Sequence, residues 1–72
     1  MEYKQHTKEH NTRLGLIKLE YTYELNERGE YTLDDLYLTL NTRWVYVPKG
    51  WGFIPLEVLI NKLEAMRINP KY

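Results

Sequence analysis

His6-Thr7-Lys8-Glu9-His10 matches H-x-x-E-H, the pattern in which two histidines one helical turn apart hold zinc and the glutamate activates a water. That chemistry needs a buried helix, a third ligand and an apolar shell around the ion. The surrounding residues, M-E-Y-K-Q-H-T-K-E-H-N-T, show no apolar face and no periodicity. Residues 1–12 therefore read as a flexible polar N-terminal arm, and no metal site is expected. The second candidate is the carboxylate pair Asp34-Asp35. Neighbours on a strand point to opposite faces, so without a bulge the two cannot share a proton as an acid–base dyad, and a solvated turn is expected. The chain has no cysteine and no serine, and Gly50 and Gly52 stand apart from any phosphate-cradling loop. With no catalytic constellation the expectation is a protein that is not an enzyme and takes no cofactor.

Charge placement says more. Between Glu20 and Asp35 lie six acids (Glu20, Glu24, Glu27, Glu30, Asp34, Asp35) and one base, Arg28, in a chain whose net charge is zero. The same segment carries Tyr21, Tyr23 and Tyr31, and tyrosines are enriched where proteins bind one another. The expected function is a small protein-binding module, an inhibitor or antagonist that docks this hairpin on a basic surface of a larger protein. In size and surface the chain resembles the small antagonists that phages and other mobile elements direct at host enzymes. The alternative is single-stranded nucleic-acid binding through Tyr46 and Trp51, with Arg43 and Lys49 on the backbone, since base stacking on an aromatic is worth about 1 to 3 kcal/mol. Ten basic against ten acidic residues places nucleic acid second, because such affinity rests largely on phosphate neutralisation.

The elements that position these residues follow from periodicity. Ile17, Leu19, Tyr21, Tyr23 and Leu25 alternate with Lys18, Glu20, Thr22 and Glu24, which predicts a strand. Asn26-Glu27-Arg28-Gly29 predicts a type I turn closed by a left-handed glycine, with Glu30 to Leu33 returning. Thr32 to Leu40 fits either a short helix or a strand. The strand is preferred because Leu36, Leu38, Leu40, Trp44 and Tyr46 alternate with Tyr37, Thr39, Asn41, Arg43 and Val45 in a run rich in β-formers, with a bulge at Asp34-Asp35 switching register. That strand would set Leu19 against Leu36 and Ile17 against Leu38. Val47-Pro48-Lys49-Gly50 reads as a turn, and Trp51 to Ile54 as a short edge strand. Pro55 suits the first position of a helix, in which Leu56, Leu59, Ile60, Leu63 and Met66 form one apolar stripe ending near Arg67.

The predicted fold is α+β: a small twisted antiparallel sheet, made of a long hairpin plus a short edge strand, packed against one C-terminal helix. Its core would hold Ile17, Leu19, Leu36, Leu38, Leu40, Trp44, Leu59, Ile60 and Leu63. Gly52-Phe53-Ile54-Pro55 resembles the closing segment of SH3 domains, a likeness of four residues from which no site residue follows.

At 72 residues the chain suits one small domain over residues 13–72, marginal by itself because so short a chain buries little surface on folding. A homodimer is favoured over a monomer on that ground. The lack of cysteine fits a reducing compartment, and no apolar run reaches a membrane span, so the expected location is cytoplasmic.

Overall fold

The structure, a computed structural model, describes residues 2–66. Four strands, β1 (Tyr3–Thr12), β2 (Gly15–Leu25), β3 (Tyr31–Leu40) and β4 (Arg43–Val45), form one antiparallel sheet in sequential order. A 3-10 turn (Lys49–Phe53) and the helix α1 (Leu56–Ala65) follow. The α+β class is as expected, but β1 and the separate β4 are not among the strands the sequence suggests.

Strand β1 is the segment read as a polar arm. Tyr3–Thr12 pairs with β2 along its whole length, from Tyr3 opposite Glu24 to Thr12 opposite Gly15. Its own side chains give no apolar stripe because the ladder is formed by backbone groups, for which β2 is the template. A tight turn at Arg13-Leu14 joins them. The Thr12 hydroxyl caps it by accepting the Leu14 N–H and donating to the Gly15 carbonyl.

Two further departures come from turns. Asn26 accepts backbone N–H groups from Arg28 and Glu30 on its side-chain oxygen and holds Gly29 in a left-handed conformation, φ 80°. Strand β3 therefore resumes at Tyr31, and Leu19 faces Leu38, Ile17 faces Leu40 and Tyr21 faces Leu36. The expected partners were two residues away, with the apolar face unchanged. The bulge falls where expected: Tyr23 pairs with Leu33 and Thr22 with Asp35, which leaves Asp34 as the extra residue. The strand expected to run on through Trp44 instead reverses at Asn41-Thr42, both at positive φ (51° and 68°), the backbone of a two-residue hairpin turn that suits the twist of its strands.

That reversal turns Trp44 out. It sits opposite Thr39 and is 62% exposed, while Val45, opposite Leu38, takes the core place. Leu40, also expected in the core, only packs at its margin. Trp51 to Phe53 belongs to the 3-10 turn, so no edge strand forms there, and the likeness of residues 52–55 to SH3 domains does not extend to this open sheet. Pro55 is the N-cap, one place earlier than expected. The helix buries Leu59, Ile60 and Leu63 but leaves Met66 exposed. Arg67, named as its end, lies outside the described residues.

One face of the sheet is covered. Ile17, Leu19, Tyr21, Leu36, Leu38 and Val45 meet the buried face of α1 and Val47, each side chain contributing about 1.5 to 3 kcal/mol of burial. Arg13 fastens the helix from the β1–β2 turn, donating to Asn61 and Glu64, each at 3.0 Å. The helix spans roughly 15 Å, whereas the molecule is 44 Å long. The hairpin tip runs past its cover.

Candidate binding surfaces

Strand alternation sorts the expected hairpin site onto two faces. Glu20, Glu24 and Asp35 share the face turned away from α1, since they alternate with the buried Leu19, Tyr21 and Leu36. Asp34 stands exposed at the bulge, and Glu27 and Glu30 stand exposed at the turn. The tyrosines expected beside these acids are on the other face. Tyr21 is 3% exposed and donates its hydroxyl to the Gly52 carbonyl at 2.8 Å. It is a core residue, and burial pushes its hydroxyl pKa above the usual 10.0. Tyr23 stacks on Tyr21 with ring centroids 6.3 Å apart and is half-buried. Tyr31, opposite Leu25, donates to Glu2 at 2.9 Å. The continuous tyrosine-bearing acidic hairpin expected from the sequence is thus divided by the sheet itself.

Other aromatics take their place on the open face. Tyr3, opposite Glu24, donates its hydroxyl to that carboxylate at 3.1 Å. Tyr37, opposite Glu20, is 42% exposed and hydrogen-bonds Asp35. Both phenols have pKa values raised from 10.0, first by the hydrogen bond each gives a carboxylate and then by that carboxylate's charge. Trp44 completes the set. Across this face the acids Glu9, Glu20, Glu24 and Asp35 meet one base, Lys18, whose ammonium lies 3.5 Å from Glu20. Tyr37 was legible from its parity with Asp35. Tyr3 was hidden by its polar surroundings.

The expected nucleic-acid residues are also separated. Arg43, Tyr46 and Lys49 are exposed, Tyr46 at 79%. Trp51 instead packs against the core, with the Lys62 ammonium 5.4 Å from its ring centroid. Tyr46 and Lys49 join Tyr37, Trp44 and Asp35 around a groove of about 300 Å³, where β4 parts from β3.

Strand geometry also removes the zinc motif. His6 and His10 share a face of β1 but are four residues apart in extended chain, about 13 Å, and Glu9 points the opposite way. Among the described residues no group of three or more His, Cys, Asp or Glu is placed to hold a metal ion. No helix among them is long and apolar enough to cross a membrane. Comparison with protein-family models, with curated proteins and with solved structures finds no match for this chain, so the functional reading rests on the surfaces themselves.

Proposed function

We propose that the protein is a small non-catalytic binding module, of inhibitor or antagonist character, whose open sheet face docks on a basic surface of a larger protein. The observation that carries this reading is Trp44, 62% exposed on a face it shares with Tyr37, Glu20 and Asp35. A large aromatic held in water on a sheet face that also carries Tyr37, Glu20 and Asp35 is the composition of an interface anchor with charge-selective surroundings. The acids steer a cationic partner and the aromatics bury against it.

The test is affinity capture from the source cell followed by titration of the captured, purified partner. Trp44→Ala and the pair Glu20→Lys with Asp35→Lys each weaken binding by about tenfold or more, given the usual worth of an interface anchor and of rim charges. Unchanged affinity in both would remove this face from the interaction.

A second reading, single-stranded nucleic acid, is supported by Tyr46 and Lys49 beside Trp44 in the groove. Asp35 on the same groove and the zero net charge oppose it. Tryptophan fluorescence during titration with an oligothymidylate at low salt separates the two: quenching that saturates supports the nucleic-acid reading, and a flat signal supports the protein partner.

A further inference from the structure

Among the described residues, strand β1 is an open edge ten residues long. Leu25 donates its N–H to the Glu2 carbonyl, which fixes the direction of every backbone group in the ladder, since successive residues of a strand point their N–H and C=O to alternate sides. The even-numbered residues of β1 bond to β2. Gln5, Thr7, Glu9 and Asn11 therefore present their N–H and C=O groups outward. No proline or glycine interrupts this row.

Side chains divide the other way. Lys4, His6, Lys8 and His10 stand opposite Tyr23, Tyr21, Leu19 and Ile17, so they lie on the covered face in a single file along the edge. Lys4 and Lys8 reach over aromatic rings, with ammonium groups 4.7 Å from the Tyr31 centroid and 5.7 Å from the Tyr21 centroid. Beside Lys8 and His10 a cleft of about 200 Å³ opens between β1 and the segment that carries Trp51, Ile54 and Leu56.

Inward-pointing charge normally keeps a sheet edge from pairing with other chains. Here it also selects. If a second copy added its own β1 with faces matched, it would place a file of lysines and histidines against the same file. A neutral strand would bring no opposite charge to the lysines. A strand with acids at every second position supplies both the missing ladder and the missing charge.

We propose that β1 is a docking edge for an extended acidic peptide segment, added as a fifth, antiparallel strand. Its alternate carboxylates meet Lys4, Lys8 and the histidines, and one of its side chains enters the Trp51 cleft. Main-chain bonds supply the affinity and the cation file sets the register. In this geometry the acidic residues occupy positions opposite the even-numbered residues of β1. Their own N–H groups then point to solvent, while the intervening residues bond to Gln5, Thr7 and Glu9. The file of lysines and histidines lies on the face opposite Trp44, so either reading can fail without the other.

The probe is a blocked octapeptide alternating threonine and glutamate, titrated into the full chain and followed by NMR. Binding is saturable, and exchange of the Gln5, Thr7 and Glu9 amides slows by about tenfold or more at saturation, as for amides entering a ladder. N-methylation of the threonine amides abolishes binding, and N-methylation of the glutamate amides does not. The pair Lys4→Glu with Lys8→Glu weakens binding by about tenfold, and a threonine–lysine peptide does not bind. The peptide comparisons use the unaltered protein and so do not depend on how the variant folds. Four results overturn the proposal: no saturation at millimolar peptide, equal binding of the two N-methylated forms, equal binding of the lysine peptide, or displacement of the peptide by an oligothymidylate. Protection of the same three amides before any peptide is added also overturns it, since a second copy would then hold the edge.

Discussion

Thr42 sits at φ 68°, directly after Asn41 at φ 51°, and its replacement by glycine should stabilise the protein. A β-branched residue in the left-handed region is a true outlier, and the conformation costs an L-residue about 1 to 2 kcal/mol. Glycine relieves that strain but adds freedom to the unfolded chain, which offsets about 0.5 to 1 kcal/mol. The lost Thr42 hydroxyl donates only to the neighbouring Asn41 carbonyl in an exposed turn and counts for little. Thr42→Gly is therefore expected to gain about 0.5 to 1 kcal/mol. With a urea slope of about 1 kcal/mol/M for a chain this small, the unfolding midpoint rises by about 0.5 to 1 M. The same turn places Trp44 on the open face, so partner affinity should not fall. An unchanged or lowered midpoint would refute the two-residue turn with left-handed Thr42, and with it the stated reason for the exposure of Trp44.

Gly15→Ala should be among the most damaging single changes: Gly15 is at φ 126° and an added Cβ would lie 2.2 Å from the Asn41 side chain, so soluble yield and thermal midpoint should both drop sharply. Tyr21→Phe removes the donor to the Gly52 carbonyl and should cost about 1 to 2 kcal/mol in urea unfolding. No loss there would mean water replaces the bond. Arg13→Ala breaks ion pairs whose side chains are about half exposed, so thermal unfolding should register less than about 1 kcal/mol. The folded-state pKa values of Tyr3, Tyr31 and Tyr37 are raised by hydrogen bonds to carboxylates. The stability they contribute is complete below the ordinary tyrosine pKa of 10.0 and is lost as pH rises through their folded values. Urea midpoints measured from pH 8 upward should stay level and then decline above about pH 10, and the triple change to phenylalanine should flatten that decline.

The sheet's central hairpin was legible because β2 alternates cleanly and Asn26 to Gly29 names its own turn. The bulge was legible for the same reason: only one extra residue near Asp34 lets both Leu33 and Leu36 face the core. The helix was plain from the spacing of Leu59, Ile60 and Leu63. What was not legible depends on backbone rather than side-chain pattern. A strand such as Tyr3–Thr12, held by its ladder to β2, has no apolar stripe on either face to announce it. A Thr at positive φ hides the Asn41-Thr42 reversal, because the sequence signal for such a turn is Asn-Gly. Missing that reversal put Trp44 in the core and left the expected site without its most exposed anchor on the sheet. The tyrosines were misplaced because acids and tyrosines that neighbour one another in sequence alternate across a strand, and so cannot share a face.

The claim that the open acidic face is the docking surface is tested most directly by zero-length carbodiimide cross-linking of the complex with the captured partner, followed by mass spectrometry. The reagent joins a carboxylate only to an amine already in contact with it, so the linked residues report the interface itself. Links from Glu20, Glu24 and Asp35 to lysines of the partner are expected, and they should be lost when Trp44 is changed to alanine. Links confined to Glu57 and Glu64 on α1, with none from the open face, would contradict it.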